Sequence, residues 1–189
     1  MTVKNSSISK LNSSQQNIFT ASKLIGQMTM NTFGPFGMEK LTINNYGDAF
    51  VLRDGKSILE KADFDHPVAK ILSDVSDTMA KNVGDGTISA ILLTSFLLEQ
   101  ARINLEKGVH PNVIIDGYNQ SLDFSISLLD SIKLLIQDKN QWKNLIYSSL
   151  SSKFARLESE KISQLVVDSI NNIDPSFSDS KTIDYINVL

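Results

Sequence analysis

Residues 82–90, NVGDGTISA, set two glycines around an acid and lead at once into a long apolar segment. Glycine at positions 84 and 86 admits backbone angles closed to other residues and lets bare main chain approach a ligand closely. A helix opening at Thr87 would present unsatisfied N–H groups and the positive end of its dipole, a setting that attracts anions. Thr87 and Ser89 add hydroxyl donors. An acid at such a place, Asp85, makes chemical sense when a cation such as magnesium stands between it and a phosphate. The plainer alternative is a helix start at which Asp or Thr serves only as a cap.

Working outward, the flanking chain is patterned as helices. Ile18, Phe19, Ala21, Leu24, Ile25 and Met28 share one helical face between about Ser14 and Asn31. The Gly-Pro turn in TFGPFGMEK then stops that helix. Leu41 and Ile43, then Phe50 and Leu52, alternate as two short strands around Tyr46-Gly47-Asp48, which predicts a small hairpin. Pro67 suits a first helical turn, and Val68, Ile71, Leu72, Val75 and Met79 follow at helical spacing. The helix from Thr87 ends at Gly108, a left-handed C-cap. Its apolar residues from Ile88 to Leu98 cover so much of its circumference that enclosure by other helices is expected. Pro111 opens the next helix, with Ile114, Ile115, Tyr118, Leu122, Ile126 and Leu129 on its buried side. Two shorter amphipathic stretches follow, Trp142 to Leu150 and Glu158 to Ile170, with Trp142 expected in the core. KTIDYINVL at residues 181–189 is read as a strand without sheet partners, prone to pair with another chain.

The 189 residues carry 41% hydrophobic and 21% charged side chains, the balance of an ordinary globular chain. A net charge of -3 gives no basic footprint, so no nucleic-acid partner is expected. The absence of cysteine rules out disulfides and thiolate metal sites and fits a reducing compartment. No uninterrupted apolar run approaches the roughly 18 residues of a membrane span, and the polar opening lacks a secretory h-region. No membrane partner and a cytoplasmic location are the expectations.

Two further glycine turns stand beside GDGT. FGPFG at residues 33–37 can offer main-chain N–H groups, and RDGKS at residues 53–57 brings a second acid, Asp54. Three such turns meeting on one polyphosphate would let a second carboxylate position water or help to hold a metal. Taken singly, FGPFG is a helix stop and RDG a hairpin exit. His66 and His110 each precede a proline at a helix entry, and local hydrogen bonding accounts for them better than a metal site. EQARINLEK, residues 99–107, mixes charges as a solvated helix face does.

The ordered set FGPFGMEK, RDGKSILE, DHPVAKIL, VGDGTISA and LEKGVHPNVIIDGY resembles the group II chaperonins, the archaeal thermosome and the eukaryotic cytosolic chaperonin, from about residue 8 onward. The resemblance implies a mainly α fold: residues 1–13 as a flexible arm, 14–145 as the N-terminal half of an equatorial ATP-binding domain with its small β-hairpin, and 146–189 as the start of an intermediate domain. The apical domain and the returning equatorial half have no counterpart in these residues. It implies ATP and Mg2+ as cofactors, with other chaperonin subunits in a ring and unfolded client proteins as partners. Phe33, Gly34 and Pro35 would contact phosphates, Asp85 would ligate magnesium, and Gly86, Thr87, Ile88 and Ser89 would bind phosphate. Asp54, as the catalytic residue, and Gly55 match the family's Asn-Asp-Gly turn near the γ-phosphate. Two residues depart from the pattern: Phe36 stands where Lys or Arg is frequent, and Arg53 replaces the usual Asn, which suggests that Arg53 faces nucleotide. The family completes its pocket from the C-terminal equatorial half, so this stretch alone is expected to bind nucleotide weakly, to hydrolyse it negligibly and to leave the Ile88–Leu98 helix face without its partners, an apolar surface that favours association. The competing expectation is a shortened, non-hydrolysing relative that acts as an assembly or interaction module.

Overall fold

Asn12 starts the first helix with a reciprocal pair: its Oδ1 accepts from the Gln15 amide at 2.8 Å, while Gln15 Oε1 accepts from the Asn12 amide at 3.1 Å. This capping box satisfies two donors that a helix start leaves without partners. The computed structural model describes residues 11–43, 46–62, 66–136, 138–151 and 156–172. Its elements are α1 (Ser13–Met30), β1 (Lys40–Ile43), β2 (Ala49–Leu52), α2 (Gly55–Lys61), α3 (Pro67–Asn82), α4 (Thr87–Glu106), α5 (Pro111–Ile132), α6 (Lys139–Leu150) and α7 (Arg156–Asn172). The chain divides into two compact units, Met1–Lys133 and Leu134–Leu189. A helical assembly with one small hairpin is the architecture that the sequence predicts.

The helix boundaries follow local chemistry. Pro67 and Pro111 open α3 and α5, and in both cases the preceding histidine is the cap: His66 Nδ1 accepts from the Val68 amide and His110 Nδ1 from the Asn112 amide, each at 3.2 Å. Gly108 ends α4 at φ 91°, with its amide on the Leu105 carbonyl and the Val109 amide on the Asn104 carbonyl. That is the Schellman pairing a left-handed glycine permits. α2, a seven-residue helix capped by Asp54, has no predicted counterpart in the sequence pattern.

The first unit is centred on α4. Ile25 of α1, Leu59 of α2, Val68, Ala69 and Leu72 of α3 and Ile91 of α4 form one buried cluster, each large member worth about 1.5–3 kcal/mol relative to exposure. A second cluster joins Leu11, Phe19 and Ala101, with Leu98, Leu105, Ile114 and Tyr118 packed on it. The Tyr118 hydroxyl donates to the Leu97 carbonyl at 2.6 Å and ties α5 to α4; burial raises the pKa of this phenol. In the hairpin, the antiparallel register sets Thr42 opposite Phe50 and Lys40 opposite Leu52. That face is half-buried, whereas Leu41, Ile43 and Val51 are exposed, so the apolar residues split between the two faces.

Two expectations of burial are corrected. Enclosure of α4 does not hold, because α1 and α3 cover one flank while Leu93 is 61% and Phe96 51% exposed on another. Of the six α5 residues expected inside, only Ile114 and Tyr118 are covered; Ile115, Leu122, Ile126 and Leu129 are exposed. The helical period is right in both, but no described element packs on those faces. Among the described residues α4 is also the one helix long and apolar enough to cross a membrane; its packing on α1 and α3 gives that composition a core role.

In the second unit α6 packs on α7, where Ser159, Ser163 and Val167 are buried. Asp138 caps α6 by accepting from the Gln141 amide at 2.8 Å. Trp142, expected in a core, is 44% exposed. The strand expected at residues 181–189 and most of the N-terminal arm lie outside the described residues.

Candidate functional site

The path from α3 to α4 is a double left-handed turn. Gly84 has φ 79° and Gly86 φ 78°, conformations that a side chain at either position would strain. Between them Asp85 is half-buried, and its Oδ1 accepts from the Gly86 amide at 2.9 Å. Gly86 is the N-cap of α4, and no side chain caps that helix end. The amides of Thr87, Ile88 and Ser89 therefore keep the donor character of an uncapped first turn.

Asp54 brings a second turn to the same place. Its Oδ2 accepts from the Ser57 amide and hydroxyl, both at 3.1 Å, as the cap of α2. Its Oδ1 accepts from the Thr87 hydroxyl at 2.8 Å, across 33 positions of sequence. Gly55 makes the approach possible: a Cβ there would lie 2.9 Å from Ile91 Cδ1 and 3.1 Å from the Ile88 nitrogen. The starts of α2 and α4 thus meet backbone to backbone. Thr87→Val should lower the stability of the first unit by about 1.5 kcal/mol, the low end for a bond to a charged acceptor, because half-buried Asp54 can take water instead. Urea unfolding followed by circular dichroism would measure it, and an unchanged midpoint would show that the bond carries no weight.

The third turn closes on itself. The Phe33 amide donates to the Met30 carbonyl, Gly37 to Gly34, and Met38 to Asn31, at 3.1, 3.0 and 2.8 Å. Gly34 is half-buried at φ 81°, Phe33 and Pro35 are exposed, and Phe36 is 97% exposed. The link from this loop toward the other two turns is Arg53, whose Nη2 donates to the Gly37 carbonyl. A continuous set of contacts therefore runs from Gly37 through Arg53 and its neighbour Asp54 to Thr87. Arg53 spends a guanidinium N–H on a protein carbonyl, a role the sequence did not suggest. Gly37 was likewise missed as an acceptor.

Among the described residues no group of three or more His, Asp or Glu side chains is placed to hold a metal ion. A polar cavity of about 490 Å³ lies elsewhere, between α1 and the C-terminal half of α4, lined by Lys23, Glu99, Arg102 and Glu106 among others. Arg102 donates to Glu99 at 2.9 and 3.0 Å and to Glu106 at 2.6 Å, and Lys23 pairs with Glu99 at 3.6 Å. The hydrogen bond from Arg102 holds the Glu99 carboxyl below its ordinary range. These charges satisfy one another and cross-link α1 to α4, which is more than the solvated face expected of them.

The model of the TCP-1/cpn60 chaperonin family matches residues 25–189, and the chain belongs to that family. It is 35% identical over 169 residues to thermosome subunit alpha of Thermoplasma acidophilum, covering 89% of this chain and 31% of that protein. Thermosome subunit alpha of Sulfolobus acidocaldarius is 35% identical over 166 residues, 82% of this chain and 30% of that protein. Thermosome subunit beta of Methanothermobacter thermautotrophicus is 32% identical over 154 residues, 82% and 29% respectively. The chain thus spans about three tenths of the length of these relatives.

Proposed function

We propose that this chain is the N-terminal nucleotide-binding portion of a chaperonin subunit, which takes Mg-ATP and, in a cytoplasmic ring with other subunits, couples it to conformational cycling on unfolded proteins. The observation that carries this reading is the Asp54–Thr87 bond, which seats the RDG turn beside the uncapped first turn of α4. Thr87, Ile88 and Ser89 would bind phosphate oxygens through main-chain N–H groups and the Ser89 hydroxyl, since the Thr87 hydroxyl is spent on Asp54 and the Gly86 amide on Asp85; Gly86, without a side chain, would leave room for the phosphate, and Phe33, Gly34 and Pro35 would border it. Asp85 would supply the protein's carboxylate to magnesium.

The residues present fit such a group. Magnesium is commonly held by one or two carboxylates together with substrate phosphates and water rather than by an all-protein cage. Asp85 beside a row of amides, with no three-residue acidic or histidine cluster among the described residues, would be the donor set for a metal that arrives with its nucleotide. When bound, the ion would neutralise phosphate charge. Asp54, whose two oxygens accept from Ser57 and Thr87, would be the carboxylate that positions water near the phosphate, with Gly55 leaving no side chain between α2 and α4.

Titration of the purified 189-residue chain with a fluorescent ADP analogue in magnesium buffer tests this. Saturable, magnesium-dependent binding is expected, with Asp85→Ala weakening it at least about tenfold, the loss of one charge-assisted contact. Negligible ATP turnover is expected of the monomer. Magnesium-independent binding, or affinity unchanged in Asp85→Ala, would overturn the assignment of the site; steady turnover by the monomer would overturn the need for further segments.

A further inference from the structure

Arg53 sits where β2 runs into α2, one residue before the cap Asp54. Its side chain reaches back 16 positions to the Gly37 carbonyl, the last residue of the FGPFG turn. That carbonyl is presented from a fixed backbone: the Gly37 amide is held by Gly34, and a Cβ at Gly37 would meet the Thr32 carbonyl oxygen at 2.3 Å. On the other side, Asp54 is locked by Ser57 and Thr87. Arg53 therefore bridges two rigid turns, and its buried Nε has no acceptor in the structure, so the guanidinium is oriented by Gly37 rather than by a carboxylate. An asparagine at this position would be too short to span the same gap.

We infer that Arg53 is a positioning residue that couples the FGPFG turn to the first turn of α4, so that a phosphate-bearing ligand engaging one turn orders the other. This rests on the nucleotide reading above for its ligand, but the coupling itself is a property of the protein and can be measured without ligand.

The test is amide hydrogen exchange, followed by mass spectrometry, on the 189-residue chain and its Arg53→Ala and Arg53→Lys variants. In Arg53→Ala, exchange should rise about tenfold, the loss of one charge-assisted bond, both at Gly37 and Met38 and at Ala90, whose amide makes the first hydrogen bond of α4 to Gly86. Residues 70–80 of α3 should be unaffected. Lysine, which keeps a cationic donor within reach of the carbonyl, should restore protection at both places. Mg-ADP affinity should fall by a similar factor in Arg53→Ala and recover in Arg53→Lys. Faster exchange at Gly37 and Met38 alone would reduce Arg53 to a local loop anchor and overturn the coupling. Coupled exchange without any Mg-ADP binding by the unaltered chain would uphold it and overturn the nucleotide reading instead. If Arg53→Ala does not fold, Arg53→Gln, which retains a neutral donor, takes its place with the same expected pattern.

Discussion

Gly26→Val should destabilise the first unit by about 3 kcal/mol, the upper range for overpacking a close contact. Gly26 lies on α1 where it crosses α4, and a Cβ there would be 2.3 Å from Ser95 Oγ and 2.7 Å from Ser95 Cβ. Ser95 cannot simply turn away: it is buried, and its hydroxyl donates to the Ser22 carbonyl at 2.9 Å, a bond that itself joins the two helices. Valine must push the helices apart along a line that also holds Ile25 against Ile91. Gly26→Ala is the sharper probe. In an exposed helix alanine would gain about 1 kcal/mol over glycine; at this crossing the clash should reverse the sign. Ser95→Gly combined with Gly26→Ala should recover much of the loss, since the close approach would then be relieved from the other side. Urea unfolding of the three variants reads these values, and an alanine variant at least as stable as the unaltered chain would mean that the crossing is loose.

What the sequence made legible is mostly what the backbone decides locally. Pro67 and Pro111 at helix entries, Gly108 at a left-handed exit and the glycines around Asp85 each force a conformation within a few residues, and each is found there. The short helix α2 escaped because its cap, Asp54, is followed by glycine, the residue least favourable to a helix start on propensity alone; its stability comes from Ile58 and Leu59 in the core. The bonds that join the turns, Arg53 to Gly37 and Asp54 to Thr87, connect residues 16 and 33 positions apart. No periodicity encodes such pairs, so the three turns were visible as candidates but the means of connecting them was not. Burial failed where it depends on neighbours: the period of α5 shows which residues share a face, and only packing shows whether anything covers it.

That uncovered face leads to the second large effect. Ile115, Leu122, Ile126 and Leu129 fall on one stripe of α5 by their spacing of seven, four and three, and all are exposed. Leu93 and Phe96 of the neighbouring α4 are exposed as well. Contiguous apolar surface beyond a few hundred Å² is rarely left to water and drives association, so the 189-residue chain alone should associate as its concentration rises. The triple change Ile115→Lys, Leu122→Lys and Leu129→Lys should render it monomeric in sedimentation velocity. Each new lysine immediately precedes an aspartate, Asp116, Asp123 or Asp130, so the three added charges balance the three carboxylates of α5. Thermal stability should move little, by about 0.5 kcal/mol per site, because these side chains are each more than half exposed. Ile114→Lys supplies the contrast: one position away on the same helix, it packs on the Phe19–Ala101 cluster, and a charge forced there should cost about 2 kcal/mol while leaving association intact in the molecules that remain folded. Association that persists in the triple variant would place the sticky surface elsewhere, with α4 the next face to alter through Leu93 and Phe96. A triple variant that loses its helical circular dichroism would instead show that the α5 stripe is covered within the chain itself.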